Sequence, residues 1–266
     1  MSVDVSRIFL ETRALTLACS RVPMDEETFG VPIAALERVE VRDAGDAALD
    51  YRAFADWCAS IRLQLCSARL AQSRIDDSMF LEERGFRFIE LAYLAYLPDL
   101  SGVDVPKVTV DILPAAADDR ESLTGLAERT FQIGRFHQDP RVETAAANRR
   151  YGRWMWRAFE NERQQVLKCV SGGEVIGFFV VEAPSATERF WSLIGLAPEY
   201  TGRGLGYQTW IATMRYHQTE GVKRIATRIS SHNIAIVNLY VKLGFRFAEP
   251  EITLHWRPSG SESLGS

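Results

Sequence analysis

Four cysteines (Cys19, Cys58, Cys66 and Cys169) occur in 266 residues, and no two form a Cys-x-x-Cys pair. The four histidines, His137, His217, His232 and His255, are scattered. Neither a disulfide framework nor a zinc site is expected from these residues. No uncharged apolar run approaches the ~18 residues that a membrane-spanning helix needs. The net charge is −4, from 31 basic and 35 acidic side chains. It gives no general electrostatic reason to bind nucleic acid or an anionic membrane. Asp4, Arg7 and Glu11 interrupt the N-terminal turns, so the chain lacks a secretory apolar region and reads as cytoplasmic. With 47% apolar and 25% charged content, it is an ordinary soluble sequence, long enough for one or two domains.

The most informative stretch runs from Leu196 to Gly206, Leu-Ala-Pro-Glu-Tyr-Thr-Gly-Arg-Gly-Leu-Gly. It leads from an apolar strand (188–196) through a glycine-rich turn into a helical pattern. Residues without side chains at 202, 204 and 206 let a ligand approach the backbone closely. A helix start carries unsatisfied N–H groups and about half a positive charge, which suits a pyrophosphate. The same residues also suit a plain strand-to-helix turn. The spacing is neither a Walker loop nor a G-x-G-x-x-G fingerprint.

This stretch resembles motif A of the GCN5-related N-acetyltransferases (GNAT), (Arg/Gln)-x-x-Gly-x-(Gly/Ala), with Leu196 and Pro198 upstream and Thr201 at the usual Arg/Gln position. Downstream, 233–245 resembles motif B, Asn-x-x-Ala-x-x-x-Tyr-x-x-x-Gly-Phe, with Asn233, Tyr240, Gly244 and Phe245 in place and Ile236 where Ala is usual. Ser231 or Asn233 suits a helix cap. Ile236, Leu239, Tyr240 and Leu243 share one helical face, and Gly244 suits a left-handed C-terminal cap. By itself, a Tyr on an apolar helix face reads as core; the two motifs together point to the site.

A weak internal repeat supports a duplicated organisation. Leu81-Glu-Glu-Arg-Gly-Phe-Arg-Phe88 aligns with Tyr240-Val-Lys-Leu-Gly-Phe-Arg-Phe247. The first copy has Leu81 for Tyr240 and Arg74 for Asn233, and no glycine-rich loop precedes it, so only the second copy is expected to bind cofactor. The fold class expected is α/β (α+β): a mixed central sheet flanked by helices, with a degenerate GNAT-like N-terminal half. Residues 1–105 form that half, 106–257 the catalytic domain and 258–266 a disordered tail, with Pro98–Pro106 as linker. Strands are expected at 29–36, 39–42, 61–67, 107–113, 165–171, 174–182, 188–196, 223–229, 245–248 and 252–256. Helices are expected at 48–60, 75–84, 116–131, 149–161 and 205–220, together with motif B.

Across residues 25–256 the chain resembles the dTDP-fucosamine acetyltransferase group of nucleotide-amino-sugar N-acyltransferases. The resemblance rests on Phe29-Gly30, on Leu-x-x-x-Gly-Phe at 81–86, and on Arg135-Phe136-His137-Gln138-Asp139-Pro140-Arg141. It implies acetyl-CoA as cosubstrate with no metal, a small-molecule amino-sugar acceptor, and direct transfer in a ternary complex. A homodimer formed through edge strands is one option that the fold implies. Thr201, Gly202, Arg203, Gly204, Leu205 and Gly206 would hold the pyrophosphate, and Asn233 the pantetheine arm. The Leu196 N–H would face the acetyl carbonyl, and Tyr240 would protonate the leaving thiolate. Arg135, Phe136, His137 and Asp139 would line the acceptor pocket. Arg135 and Asp139 would either contact a sugar or diphosphate or pair with each other. For the amine's proton the candidates are His137, a water chain and Glu188, the last at the start of its strand and too far out. Trp154, Trp156, Trp191 and Trp210 read as core rather than sugar platforms, and the arginines at 141, 149, 150, 153 and 157 as a helix face. Two other readings stand beside this one: a peptide N-acetyltransferase of the ribosomal-protein type, and a non-catalytic CoA-binding module.

Overall fold

The computed structural model describes residues 6–265. Strands β1 (Arg7–Glu11) and β2 (Leu15–Arg21) are followed by helix α1 (Pro23–Phe29), β3 (Ile33–Val41), α2 (Ala44–Ser60), β4 (Leu65–Ala71), α3 (Ile75–Glu83) and β5 (Arg87–Leu97). Next come β6 (Asp111–Pro114), α4 (Arg120–Thr130), α5 (Arg135–Gln138), α6 (Thr144–Ala158), β7 (Gln164–Ser171), β8 (Glu174–Ser185) and β9 (Glu188–Leu196). The last elements are α7 (Leu205–Thr219), β10 (Arg224–Ser230), α8 (Ile234–Lys242), β11 (Arg246–Phe247) and β12 (Glu251–Trp256). No helix among the described residues is long and apolar enough to cross a membrane.

Compactness divides the chain into two interleaved units. The first holds residues up to 91, 135–146 and from 249 onwards; the second holds 92–134 and 147–248. In the first, the strand order is β1-β2-β3-β4-β12. Its pairs are antiparallel except β3–β4, which is parallel and joined by α2. Leu15, Leu17, Phe54, Trp57, Leu63, Phe80, Phe86 and Leu254 build its core.

In the second unit the order is β6-β7-β8-β9-β10, closed by residues 92–97 of β5. Here β9–β10 is the parallel pair. Successive β8 residues point to opposite faces, as a pleated strand requires. Phe179 and Val181 pack with Trp191, Trp210 and Tyr240 under α7 and α8, whereas Phe178 and Val180 pack with Leu123, Leu126 and Met155 of α4 and α6. Helices thus cover both faces of this sheet. The hairpin between β7 and β8 turns at Gly172-Gly173, both at positive φ (61° and 85°), as expected for a tight two-residue loop.

The duplication is visible in each unit by itself. β4 and β10 are seven residues each, and α3 and α8 nine each. The last strand of each sequence repeat pairs with the other repeat: β12 pairs β4 within the first unit, and residues 92–97 of β5 pair β10 within the second. A cut at 105/106 is contiguous in sequence, whereas the compact units are not, because of this exchange.

Several local expectations differ from the structure. The strand expected from Phe29 is the end of a helix, α1, with Pro23 in its first turn and Gly30 ending it in the left-handed region (φ 71°). Ile33–Val41 is then one strand rather than two, and β1 and β2 precede it unanticipated. Pro98–Pro106 is packed and not a free linker: Leu100 and Val105 are buried in the second core. The Leu100 N–H donates to Lys223 O at 2.6 Å, and Gln218 Nε2 donates to Leu100 O and Val103 O. The tail is ordered through residue 265. Leu264 is buried and exchanges backbone bonds with Arg141 and Glu143 (2.8 and 2.9 Å).

Candidate active site

In the second unit β9 and β10 run parallel only as far as Trp191 and Thr227. There the Thr227 Oγ1 donates to Trp191 O at 2.8 Å. Beyond that rung β9 stays with β8 to Leu196, while β10 stays with β5. The Ala197 N–H donates to Ile176 O at 2.8 Å, toward β8. N–H groups in an antiparallel pair alternate in direction. The Leu196 N–H therefore faces the opposite edge, into the gap that β10 has left, where the sequence expected an oxyanion donor.

The chain then turns through a 3-10 segment (Pro198–Tyr200) to Gly204, the N-cap of α7, whose φ of 76° puts a Cβ at a disadvantage. No side chain caps α7, so its first-turn N–H groups are not satisfied within the helix. Thr201, Gly202, Arg203 and Gly204 are exposed, Leu205 and Gly206 are half-buried, and nothing lies within 4 Å of a Cβ built on Gly202, Gly204 or Gly206. These are the features of an anion cradle. Arg203 lies over the Tyr200 ring at 5.9 Å. Lys242 Nζ, which neither motif marks, lies 4.4 Å from the ring centre of Tyr207 in the first turn of α7. Its only sequence signal was its place two residues after Tyr240.

The corresponding place in the first unit is filled by its own side chains. The Arg42 N–H donates to Ala14 O as Ala197 does to Ile176, which makes Val41 the counterpart of Leu196. The Val41 N–H is taken by Asp77 Oδ1 at 2.7 Å, and Asp77 is held by Arg74, which also donates to Val39 O. Asp43 caps α2, accepting from the Gly45 and Asp46 N–H groups at 3.0 Å. A carboxylate thus sits where the second unit presents bare amides.

Asn233 caps α8 through Oδ1, which accepts from the Ile236 N–H at 3.3 Å; Ser231 is not the cap. Tyr240 is 1% exposed, and its hydroxyl has no accessible surface and no hydrogen-bond partner. The ring packs edge-on to Phe245 and Trp210 (4.7 and 6.2 Å) and lies 6.5 Å from Trp191. Burial raises the phenol's pKa well above its usual value, with the adjoining Trp210 and Thr227 side chains opposing the shift. In this state the hydroxyl is enclosed.

The four acceptor-side residues all lie in the first unit. Asp139 has no exposed surface, and it holds Arg141 bidentately (2.8 and 2.9 Å) and His255 Nδ1 at 2.9 Å. Its partner is Arg141, not Arg135. Its pKa stays below the usual carboxylate range: burial alone would raise it, and the hydrogen bonds from His255 and Arg141 overcome that. Phe136 is buried, 5.1 Å from Phe29 and 5.4 Å from His255. Arg135 pairs with buried Asp25 at 3.5 Å. His137 is half-buried. Of the tryptophans, Trp191 and Trp210 are core, while Trp156 is exposed beneath the Arg120 guanidinium (3.7 Å). Glu188 pairs with Arg224 at 3.6 Å. It lies eight residues along the strand from Leu196, roughly 26 Å at ~3.3 Å per residue, too far to take a proton there. Among the described residues no cluster of His, Cys, Asp or Glu is placed to hold a metal ion.

The Acetyltransferase (GNAT) family model matches residues 127–245. The spore coat polysaccharide biosynthesis protein SpsD of Bacillus subtilis is 23% identical over 132 residues, 50% of this chain and 45% of that protein. A mycothiol acetyltransferase of Corynebacterium glutamicum is 30% identical over 87 residues, 33% of this chain and 30% of that protein. The matched segments thus span less than half the length of these relatives. The fold is also that of a tandem GNAT protein from the clavulanic acid biosynthesis pathway, with a TM-score of 0.61 at 16% identity, over 96% of this chain and 83% of that one.

Proposed function

We propose, from the match of residues 127–245 to the GNAT acetyltransferase family model, that the chain moves an acetyl group from acetyl-CoA to the amine of a nucleotide-linked amino sugar. The observation that carries the reading is the uncapped start of α7 beside the gap between β9 and β10. The bare amides and the open surroundings of Gly206 fit a pyrophosphate. Acetyl-CoA supplies the activated acyl thioester. The chain's residues do the rest. The amides of Thr201–Gly206 hold the diphosphate, with Arg203 and Lys242 adding positive charge. Asn233, its Oδ1 spent on the cap, has its amide NH2 for the pantetheine arm. The Leu196 N–H stabilises negative charge developing on the carbonyl oxygen.

Tyr240 is our assignment for the proton delivered to the departing sulfur. Its enclosure means that it acts only once the gap at Thr227 has opened to admit the thioester. His137 is carried as the candidate for accepting the amine's proton, and the bell of a pH–rate profile, with and without His137→Ala, tests it. The sugar acceptor is supported by SpsD, a protein named for polysaccharide biosynthesis. Mycothiol acetyltransferase, by its name, supports acetyl transfer. A cytoplasmic location belongs to the same proposal.

The test is to incubate the protein with acetyl-CoA and a panel of dTDP- and UDP-linked amino sugars and to follow CoA release. Turnover with any of them is expected. Release of CoA only with ribosomal-protein N-terminal peptides, or with no acceptor at all, overturns the sugar assignment.

A further inference from the structure

Arg84, Arg87, Arg141 and Arg257 line one cavity of about 350 Å³ in the first unit, with Trp256 and the Pro258–Ser261 turn completing its wall. Four guanidiniums around one space repel each other unless negative charge lies between them. The unit's own carboxylates answer only part of that charge. Asp139 takes Arg141, and exposed Glu83 lies 3.4 Å from Arg84 Nη1. No carboxylate pairs with Arg87 or Arg257 among the described residues. Arg257 is 7% exposed, and its Nε, Nη1 and Nη2 donate to the carbonyls of Gln64, Arg141 and Glu262. Those carbonyls fix the guanidinium in place without neutralising it. Burial, and then the neighbouring Arg141 charge, pull its pKa below the usual arginine value.

Arg84 meets the cavity from the end of α3 and Arg87 from the start of β5. Each donates to backbone carbonyls only from Nη1, Arg84 to Phe80 O and Arg87 to Glu82 O and Phe86 O. Nε and Nη2 of both make no hydrogen bond among the described residues, and the Arg84 guanidinium lies over the Phe80 ring at 3.3 Å. The second repeat keeps only part of this set, with Arg246 in the place of Arg87. Leu243 stands where Arg84 does, and nothing lies within 4 Å of a Cβ built on Gly244, whereas one on Gly85 meets the Trp256 indole at 3.4 Å. The full arginine set thus lines a cavity in the unit whose cofactor position is plugged.

We propose that this cavity is a phosphoryl-anion site, taking phosphate or pyrophosphate itself or the diphosphate of a nucleotide. Two guanidinium charges without carboxylate partners match a dianion, and the planar forks of Arg84 and Arg87 suit phosphate oxygens bidentately. The volume lies in the range of small-molecule pockets and accommodates a diphosphate. The proposal does not depend on the acetyl-transfer reading.

The experiment is calorimetric titration of the full chain with sodium pyrophosphate, dTDP and UDP, on wild type, Arg87→Gln, Arg84→Gln and Gly206→Asp. The arginine variants alter side chains at the end of α3 and the start of β5, and far-UV circular dichroism and melting without ligand check that each is folded. Wild type is expected to bind at millimolar concentration or below. Each arginine variant is expected to weaken binding about tenfold or more, and Gly206→Asp to leave a binding event that those variants remove. Equal affinity for pyrophosphate and the nucleotides assigns recognition to the diphosphate alone, and tighter nucleotide binding adds a base contact; both support the site. Absence of binding by all three ligands overturns it. So does binding that Gly206→Asp abolishes and the arginine variants leave unchanged, because the anion then sits at α7.

Discussion

Asp77 Oδ1 accepts the Val41 N–H at 2.7 Å, closing in the first unit the backbone position that Leu196 leaves open in the second. The pair converts a potential oxyanion donor into a structural bond. Asp77 is 3% exposed and carries Arg74 as its ion-pair partner. Asp77→Ala leaves the Val41 N–H without its acceptor and Arg74 without its counter-charge. A loss of about 2 kcal/mol is expected from urea denaturation, in the range for removing one partner of a buried charged hydrogen bond. A change under about 0.5 kcal/mol would mean that water replaces the carboxylate, and that the plug is not a fixed part of the fold.

Gly206 has open space around it and ordinary backbone angles, so an aspartate fits there without strain. Its negative charge in the first turn is mildly favourable to the helix and directly unfavourable to a diphosphate. Gly206→Asp is expected to weaken CoA binding at least tenfold while the ligand-free melting temperature stays within a few degrees. CoA binding by the variant as tight as by wild type would remove the α7 start from the cofactor site. No CoA binding by wild type would remove the cosubstrate altogether.

Much of the second unit was legible because its signals are local. The strand 188–196 ends as expected, the helix from Leu205 follows the glycine turn, and Asn233 and Gly244 bracket α8 as cap residues should. The first unit was read less well. Pro23 starts a short helix in a segment given no element, which ends at the Phe29 expected to open a strand, and β1 and β2 carry no turn signal that marks them as a hairpin. Long-range facts were out of reach by their nature. Nothing in the local pattern says that β12 pairs β4 rather than the strands nearer in sequence. The Arg135–Arg141 segment reads as a loop of polar side chains, but Asp139 is a buried anion whose partner His255 lies 116 residues away. Tyr240 shows the same limit from the other side: one helical face is both the core face and the motif position.

His255 sets a pH dependence. It has no exposed surface; burial lowers its pKa from 6.5 to about 4, against the opposing bond to Asp139, while Arg135 and Arg141 add to the lowering. The unfolded chain takes up a proton near pH 6.5, but the folded chain does not until about pH 4. The stability of the neutral buried imidazole is therefore complete above about pH 6.5 and is lost progressively as pH falls toward 4. The loss is of order 3 kcal/mol at ~1.4 kcal/mol per pH unit. Thermal melts across pH 7 to 4 should show this decline, and His255→Gln should flatten it, whatever its effect on stability at pH 7. An equal slope in the variant would place the acid sensitivity in other groups.

Tyr240→Phe separates chemistry from packing, because the phenol hydroxyl bonds to nothing in the fold. Its removal takes away an unpartnered buried polar atom and no hydrogen bond, so the melting temperature should be unchanged or slightly higher. The edge-on contacts with Phe245 and Trp210 are made by the ring, which phenylalanine keeps. Any loss of rate then reports the proton. Turnover is expected to fall about 10²-fold or more, the usual contribution of a positioned general acid. KM for acetyl-CoA should change little, because the α7 amides and Asn233 are untouched. An unchanged turnover with a folded variant would make Tyr240 a core residue alone and pass the thiolate's proton to solvent. A rise in KM with turnover unchanged would lead to the same conclusion, with the hydroxyl acting only to shape the gap between β9 and β10.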